Sequence, residues 1–501
     1  MLARKSVFSL SSDIVNALLS YLALYLVARF MSPGVYGAIA FATGYVALLT
    51  IYGDLGFDSA HIKYVSAGED KDQCISVHFY ITLILSFVGI ATTVGSVIIW
   101  KFILHHGFES PELETVLYII LLSLTIKGLV APFQYAFMAR QEMAKAKLIA
   151  IFGTIGRLLG TIYVVVFHLD LIVFAWIYVA EGIITLSAAL LLYHHRIIRP
   201  KWEMFKMYLG FATPMAIAGI LGTAISNFSP VLIQLCFSSA DVGFYSAAIR
   251  IITMLGMFTN ALGILLFPVL SSMHSKGDTK GMLELIHDSE RYLSMVAFPL
   301  VFGTMSMAVP IVYVLLAGWT NATPILQIIP LFILFSALQL PFYSHVIGSD
   351  HPRMILSMQI ISFCFCIGLN LLLVPKVLLG VHLPGLSGVG AAIALVASSF
   401  VGWVYCRTMS HKLLPELTVN RHGLAHLFAA VMMGIVVYWF LSVNPVLHWW
   451  MLIVVGGAYV AGYLGILVVI GEFKRKDFDI IWNAVDPKKM FRYAKDEVGG
   501  K

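Results

Sequence analysis

The chain has 501 residues, of which 60% are hydrophobic and 12% are charged, and its formal net charge is +6. A soluble domain is nearer half apolar and a quarter charged, so this composition excludes an ordinary soluble protein. Apolar stretches of about 20 residues recur along the whole chain, which is typical of a protein that crosses the membrane many times.

The first apolar stretch follows Arg4 and Lys5 and continues to about Phe30. A secretory signal peptide has a shorter apolar region and a cleavage site made of small residues. This stretch has no such site, and it contains Asp13 and Asn16. We therefore predict that it is the first membrane helix and that it is not cleaved.

Fourteen stretches of the chain are apolar enough and long enough to be membrane helices. Several contain proline or glycine, which membrane helices tolerate when neighbouring helices bond the freed backbone groups. The predicted helices span residues 7–31, 34–53, 75–103, 115–138, 147–167, 171–193, 207–236, 242–268, 290–317, 323–346, 352–374, 387–410, 423–442 and 447–470.

The loops predict the orientation of these helices, because cytoplasmic loops are enriched in lysine and arginine. With the N-terminus in the cytoplasm, the inner segments hold 26 lysines and arginines, whereas the outer segments hold three. A missed or additional helix would break this alternation. We therefore predict a multi-pass protein of the cytoplasmic membrane with fourteen helices and both termini in the cytoplasm.

Two short stretches indicate an internal repeat. The sequence "RFMSPGVYGAIAF" follows the first helix, "CFSSADVGFYSAAIR" follows the seventh, and aligning Tyr36 with Tyr245 pairs Ala38 with Ala247. Six helices separate the two stretches, so the two halves would have the same orientation about an axis along the membrane normal. We predict an all-α integral membrane protein with two six-helix lobes (1–206 and 207–412), two extra helices (413–470) and a basic cytoplasmic tail (471–501).

Three blocks of sequence match the pattern of one family in the same order along the chain. The first block carries Arg29, Phe30, Ser32, Pro33, Tyr36, Gly37, Asp54, Leu55 and Gly56. The second carries Val242, Gly243, Tyr245, Ser246, Ala247, Ala248, Arg250, Phe267 and Pro268. The third carries Asn370, Pro375, Gly388, Gly390, Ala391 and Ala392. Together they resemble the polysaccharide-biosynthesis membrane proteins, the Wzx-type oligosaccharide-lipid flippases of the multidrug/oligosaccharidyl-lipid/polysaccharide exporter superfamily.

The resemblance implies a flippase that moves a polyprenyl- or dolichyl-linked oligosaccharide across the membrane by alternating access, for assembly of surface polysaccharide or glycoprotein. Its expected partners are that substrate, membrane lipids and neighbouring glycosyltransferases or polymerases, with no nucleic acid, and the protein is expected to be a monomer. No cofactor is expected, and the energy would come from an H⁺ or Na⁺ gradient or from the membrane potential. The chain departs from the family at "LLGVHLPGLS", where the family usually has a short turn.

Five charged residues stand out in the interior of the predicted helices, away from the helix ends that carry loop charges. Lys127, Arg157 and Glu181 lie near the centres of helices four to six, Asp13 lies in the inner third of helix one, and Arg250 lies in the outer half of helix eight. A charge at the bilayer centre costs roughly 2.5–3.5 kcal/mol on the insertion scale, so such residues usually face a protein interior or a water-filled cavity. Three positive and two negative charges give a surplus cation that would attract an anion, and guanidinium groups suit phosphate.

We therefore predict three sets of site residues. The anionic head group would be bound by Arg157, Lys127, Arg250 and Arg29. Ion coupling or charge pairing would involve Asp13 and Glu181. Sugar contacts would come from Asn16, Gln134, Asn227 and Asn260. An alternative remains open, in which Arg157 pairs with Glu181 and Lys127 with Asp13 only to hold helices together.

Small residues surround Arg157 at helical spacing. Gly153, Gly156 and Gly160 recur every three or four residues, and the last two form a GxxxG motif. Small residues let the backbones of membrane helices approach closely. We predict that this face of the helix packs tightly against a neighbour.

Three other functions compete with this interpretation. A lipid II flippase shares the same chemistry, whereas a multidrug antiporter for organic cations would need an anionic or aromatic lumen. A membrane-embedded glycosyltransferase would need a catalytic group on a sizeable outer loop, and no outer loop is long enough. The sequence has no P-loop and no arrangement of catalytic or metal-binding residues, so we expect a transporter that is not an enzyme.

Overall fold

The structure is a computed structural model that describes residues 2–50, 55–103, 105, 107–140, 142–193, 197–263, 266–349, 351–418, 421–444 and 448–473. Asp54 of the first family block and the tail from residue 474 onward lie outside the described residues, as does the side chain of Asn260. The described chain is almost entirely helical, which confirms the predicted all-α class.

Contacts divide the described chain into two compact units, of which the first ends at Gly243 and the second begins at Phe244. This division does not coincide with the predicted lobe boundary at 206/207, and the four-part division based on the repeat stays a prediction. The described helices of the first unit are α1 (Leu2–Phe30), α2 (Pro33–Leu49), α3 (Phe57–Ser66), α4 (Lys71–Ile98), α5 (Pro111–Gly128), α6 (Ala131–Ala139), α7 (Met143–Val166), α8 (Leu171–Leu192) and α9 (Trp202–Cys236).

The next helix, α10 (Ser239–Gly263), continues from the first unit into the second. The second unit then contains α11 (Leu266–Ser275), α12 (Thr279–Ser306), α13 (Ala308–Leu315), α14 (Thr323–Ile328), α15 (Pro330–Gly348), α16 (Pro352–Leu373), α17 (Ser387–Leu413), α18 (His422–Val443) and α19 (Trp449–Ile470). A pair of short strands, β1 (Val377–Leu378) and β2 (Val381–His382), lies between α16 and α17.

Several helix starts follow directly from local sequence. Ser32 and Ser110 cap α2 and α5 with their hydroxyl groups, and each is followed by a proline. Asp70 caps α4 by accepting hydrogen bonds from the backbone at Asp72 and Gln73. Capping side chains satisfy the free N–H groups of the first turn, and proline fits there because it lacks an N–H to satisfy.

Within the described residues, twelve helical segments are long and apolar enough to cross a membrane. A thirteenth counts if α12 and α13, which are bent by 71° at their junction, form one span. The predicted segment 34–53 corresponds to α2, which has only 17 residues and is shorter than a typical span. A multi-pass membrane protein is therefore confirmed, but the count of fourteen is not.

The segment that departs from the family forms a β-hairpin. The two strands pair antiparallel, with Val377 opposite His382 and Leu378 opposite Val381. Leu379 and Gly380 connect them with φ of 51° and 81°, as a two-residue turn of the hairpin type requires. The insertion is thus a defined local structure at the end of α16.

Two glycines allow the starts of α2 and α10 to touch within the first unit. A Cβ on Gly37 would overlap the carbonyl oxygen of Ser239, and a Cβ on Gly243 would overlap that of Pro33. Because both obstacles are backbone atoms, neither can move aside by changing a side-chain rotamer. These glycines lie in the two stretches from which the repeat is predicted.

Candidate functional site

Polar side chains on α1 face polar side chains on α7 at three successive levels. The contacts are Lys147 Nζ to Asp13 Oδ1 at 2.6 Å, Thr154 Oγ1 to Asn16 Oδ1, and Arg157 Nη2 to Ser20 Oγ at 2.8 Å. Residue numbers rise together along both helices, so α1 and α7 run parallel. Steps of three, four and seven residues repeat one face of a helix, so each helix presents these groups as a single stripe.

One carboxylate on α8 connects this stripe to α5. Glu181 Oε1 lies 3.5 Å from Arg157 Nη1, and Glu181 Oε2 lies 2.7 Å from Lys127 Nζ. The ammonium of Lys127 also lies 5.5 Å from the ring centroid of Tyr178, one turn before Glu181. Two cations therefore share a single anion, and their side chains are 17% and 29% exposed. We call the eight residues of α1, α7, α8 and α5 in these contacts the polar ladder: Asp13, Asn16, Ser20, Lys127, Lys147, Thr154, Arg157 and Glu181.

The predicted tight packing around Arg157 is confirmed, and the neighbour is α8. A Cβ on Gly153 would overlap the Thr185 hydroxyl, and one on Gly160 would come within 2.7 Å of the Ile177 side chain. The backbone of α7 therefore lies close to α8 on the face that carries Arg157. This close approach brings the guanidinium within reach of Glu181.

The structure shows which of the predicted charge pairs form. The pair of Arg157 with Glu181 is confirmed. The predicted pair of Lys127 with Asp13 is wrong, because Lys127 contacts Glu181 and Asp13 contacts Lys147. The physical reason is helix adjacency: α5 packs against α8, whereas α1 packs against α7.

Two predicted cations do not join the polar ladder. Arg29 is exposed in the last turn of α1, nine residues beyond Ser20, which is about 13 Å along a helix axis. Arg250 is exposed on α10 in the second unit. Within the described residues neither side chain forms a hydrogen bond or a salt bridge. Their assignment to head-group binding stays a prediction.

The predicted sugar contacts have different surroundings. Asn16 accepts a hydrogen bond from Thr154, and Asn227 donates one of 2.9 Å to the Thr223 carbonyl of its own helix. Gln134 is half-buried on α6. The assignment of these residues to sugar binding stays a prediction, and that of Asn260 concerns a side chain outside the described residues.

Sequence reasoning missed four members or neighbours of the polar ladder: Ser20, Lys147, Thr154 and Tyr178. The loop charges place Lys147 in a cytoplasmic segment, although it begins the polar stripe of α7. The signal that could have found these residues was the helical spacing of polar groups on α1 and α7. The charged members of the polar ladder are three cations (Lys127, Lys147, Arg157) and two carboxylates (Asp13, Glu181). The polar ladder therefore carries one surplus positive charge.

A cavity of about 320 Å³ lies in the same unit, away from α7 and α8. Its walls come from α2, α3, α4, α5, α6 and α9. They combine apolar side chains with the hydroxyl groups of Thr50, Thr82, Ser86 and Thr125 and the carboxylate of Asp58. The cavity is large enough to hold several water molecules.

Comparison with known proteins agrees with the resemblance of the three sequence blocks. The sequence model of one family, described as "Polysaccharide biosynthesis protein", matches residues 26–324, which is more than half of the chain. The protein belongs to this family. The matched region contains α2 to α13 and therefore most of the polar ladder, including Lys127, Arg157 and Glu181.

Two proteins of similar sequence have names that state a function. The chain is 20% identical over 304 residues to the probable low-salt glycan biosynthesis flippase Agl15 of Haloferax volcanii, covering 61% of this chain and 63% of the relative. It is 26% identical over 335 residues to the succinoglycan biosynthesis transport protein ExoT of Rhizobium meliloti, covering 62% of each. The chain thus spans less than two thirds of the length of these relatives.

Solved structures share the fold over 80% or more of the chain. The lipid II flippase MurJ in an inward closed conformation superposes with a TM-score of 0.70 at 13% identity, covering 92% of this chain and 98% of that one. An inward-facing multidrug resistance transporter of the MATE family superposes with a TM-score of 0.63 at 16% identity, covering 80% and 96%. At these identities the likeness shows the fold alone.

Proposed function

We propose that this protein is a flippase that moves a lipid-linked oligosaccharide across the cytoplasmic membrane by alternating access, for assembly of a surface polysaccharide or glycoprotein. The observation that carries the proposal is the sharing of Glu181 between Lys127 and Arg157 on membrane-spanning helices. A lipid-linked sugar has a phosphate or pyrophosphate between the sugar and the prenyl chain. That anion must cross the apolar core of the bilayer, where a fixed surplus cation stabilises it.

The geometry of Arg157 suits this task. A guanidinium has five N–H donors in a planar fork, and the contacts described use Nη2 for Ser20 and Nη1 for Glu181. The remaining donors are available to phosphate oxygens. Lys127 adds a point charge on the other side of the same carboxylate. In this proposal the phosphate competes with Glu181 for the two cations, so substrate binding loosens the contacts between α5, α7 and α8.

The family membership and the names of the relatives support the same class of substrate. The protein would act as a monomer in the cytoplasmic membrane with both termini in the cytoplasm, near glycosyltransferases or polymerases. It would be a transporter and not an enzyme, coupled to an H⁺ or Na⁺ gradient or to the membrane potential, with Asp13 and Glu181 as candidate coupling groups. The surplus cation disfavours transport of organic cations.

The test is translocation of a fluorescent polyprenyl-diphosphate oligosaccharide in liposomes that contain the full chain. We expect Arg157→Ala to slow translocation by about tenfold or more, which corresponds to about 1.4 kcal/mol, and Arg157→Lys to slow it less. Lys147→Ala is the matched control. It also removes a cation from α7, but the partner of Lys147, Asp13, is 49% exposed to solvent. A lipid II probe, assayed in parallel, tests the alternative substrate.

The yield of folded protein, measured on the same samples, shows whether Arg157 binds the substrate phosphate or only pairs with Glu181. Normal translocation by a well-folded Arg157→Ala protein would overturn the assignment of this residue. If Arg157→Ala lowers the yield and a second change, Glu181→Gln, restores both yield and translocation, then Arg157 serves only to neutralise Glu181. The proposal requires that translocation stay slow after the yield is restored.

A further inference from the structure

A second buried polar cluster lies in the first unit and takes no part in the polar ladder. His78 Nε2 on α4 lies 3.1 Å from Asp58 Oδ1 on α3. The imidazole ring of His61, one turn after Asp58, lies 4.7 Å from that of His78, measured between ring centroids. His61 Nδ1 in turn lies 2.9 Å from the Tyr208 hydroxyl on α9. Three helices therefore meet at two adjacent imidazoles and one carboxylate.

The cluster has one end open to a cavity and the other end buried. The carboxylate of Asp58 is 20% exposed and forms part of the wall of the 320 Å³ cavity, together with the hydroxyls of Thr50 and Thr82. Both histidine side chains are buried behind it. A proton that enters the cavity in water can therefore reach Asp58 first and His78 next, without crossing apolar packing.

The surroundings of the two imidazoles differ in how well they accommodate a proton. Burial lowers the pKa of His61 well below its usual value, His78 and Arg140 lower it further, and the carbonyls of Cys74 and Pro132 only partly oppose them. A proton on His61 is therefore disfavoured, and the contact between His78 and Asp58 is the place that the geometry offers for a proton. The other titratable groups around the two rings are Cys74 on α4, Tyr64 on α3, Tyr208 on α9 and Arg140 after α6.

The same contacts hold α3 in place. This helix has only ten residues, and it is bonded to α4 through Asp58 and to α9 through His61. Tyr64 adds a hydrogen bond of 3.1 Å to the Met207 carbonyl of α9. A hydrogen bond with one ionised partner is already about twice as strong as a neutral one. A proton on His78 adds the attraction between two opposite charges, which is larger for buried groups than for groups in water. Loss of the proton from His78 therefore weakens the hold of α4 on α3.

We propose that the contact between Asp58 and His78, beside the buried ring of His61, binds one proton that arrives through this cavity, and that its presence sets how firmly α3 is held against α4 and α9. The consequence for transport, which rests on the proposed function, is that this proton makes translocation respond to a pH gradient. The cluster is distinct from Asp13 and Glu181, whose carboxylates are paired with lysine and arginine side chains.

The first test needs no substrate. Hydrogen–deuterium exchange is measured for the full chain in phospholipid nanodiscs from about pH 5.5 to about pH 8, which brackets the ordinary histidine pKa, after correction for intrinsic exchange. We expect the amides of α3 to lose about tenfold of their protection as the pH rises. His78→Gln should remove that change. His345→Gln, a buried histidine beside the Ser410 hydroxyl in the second unit, should retain it.

This test alone can overturn the proton site. Protection of α3 that does not vary with pH in the unaltered protein would do so, as would the same variation in His78→Gln. Asp58→Asn provides a second variant that keeps the size of the side chain and removes its charge. If either variant folds poorly, the other still decides the outcome, because both are predicted to abolish the same pH dependence.

The second test concerns translocation of the fluorescent polyprenyl-diphosphate oligosaccharide, with the membrane potential clamped. We expect a pH gradient to accelerate the unaltered protein about fivefold or more, and His78→Gln to show no acceleration relative to its own rate without a gradient. Acceleration that survives in His78→Gln overturns the coupling role. If the unaltered protein moves no probe at all, the proposed function fails, whereas the exchange experiment still decides whether the proton site exists.

Discussion

Glu181 is the residue that two charged contacts of the first unit share. Its two carboxylate oxygens face two different cations from two different helices, and the side chain is buried. Breaking a buried ion pair by removing one partner is costly because the other charge stays behind without compensation. Replacing Glu181 would therefore leave both Lys127 and Arg157 without their shared carboxylate.

We therefore expect Glu181→Gln to destabilise the protein by about 3 kcal/mol or more, a magnitude typical of broken buried pairs. Asp13→Asn is the matched control and should cost less than about 1 kcal/mol, because its pair with Lys147 is half exposed. Thermal unfolding of both variants in the same detergent measures the difference. Equal losses of stability would show that burial of Glu181 does not matter.

The individual charged residues were predictable, but only one of the two predicted pairs, Arg157 with Glu181, forms. Hydropathy marks Lys127, Arg157 and Glu181 because each interrupts an apolar helix. Which of them meet depends on which helices are neighbours, and loop order does not determine that. Charge alone pairs Asp13 with Lys127, whereas the packing of α1 against α7 gives it Lys147 instead.

At the scale of elements, close backbone contact fixes the relation between α2 and the start of α10. Gly37 and Gly243 each face a carbonyl oxygen of the other helix start. Backbone atoms cannot rotate away, so an added methyl group forces the helices apart, and overpacking of this kind typically costs about 1–3 kcal/mol. The two glycines therefore act as a matched pair at one crossing.

We expect Gly37→Ala and Gly243→Ala each to lower the melting temperature clearly, and the double variant to lower it by less than the sum, since one separation relieves both overlaps. Gly222→Ala on α9 is the control, because no atom lies within 4 Å of the position that its added methyl group would take. This substitution should be neutral or slightly stabilising, as alanine favours helix. Additive losses at Gly37 and Gly243 would contradict a shared contact.

A loop carboxylate supplies a second contact in this region. Glu109 Oε2 accepts hydrogen bonds from Gln234 Nε2 at 2.7 Å and from the backbone and hydroxyl of Ser239 at 2.9 and 2.6 Å. Burial acts to raise the pKa of Glu109, but the hydrogen bonds from Ser239 and Gln234 outweigh it and hold the pKa below its usual value. The loop before α5 is thereby fastened to the junction of α9 and α10.

The sign of the resulting pH dependence follows from this lowered pKa. Stabilisation by Glu109 is fully present above the ordinary carboxyl pKa and is lost as the pH falls through the lower value of the folded state. We expect unaltered protein to melt at a higher temperature than Glu109→Gln at about pH 7, and the difference to shrink as the pH falls below the ordinary carboxyl pKa of about 4. A difference that stays constant over this range would show that the charge is irrelevant.

At the scale of the whole molecule, the helices were predictable because a membrane span is a local property of about 20 residues. The break between α12 and α13 was not predicted, since hydropathy continues through Met307 without a change. The hairpin was also missed, although Leu379 and Gly380 lie between residues that favour strands. The polar ladder and the histidine cluster depend on contacts between distant segments, which a single sequence does not reveal.

Orientation in the membrane is a prediction from the loop charges that labelling can check. Leu379 at the tip of the hairpin is 96% exposed, and Lys412 is exposed at the end of α17. The positive-inside rule places the first outside and the second inside. We expect a membrane-impermeant maleimide to label Leu379→Cys in intact cells and Lys412→Cys only after permeabilisation, each in a background without native cysteines. The reverse labelling pattern would show that the predicted orientation is wrong.

The parallel stripes on α1 and α7 also limit how these helices can move. Three polar contacts are in register, so a slide of a fraction of a turn would separate all of them at once, whereas a slide of one turn, about 5.4 Å, would bring polar groups near new partners. If α1 moves along α7 during transport, we therefore expect it to move in steps of one helical turn. An alanine inserted between Asn16 and Ser20 would rotate the rest of α1 by about 100° and would disengage Ser20 from Arg157 while leaving Asp13 and Lys147 together.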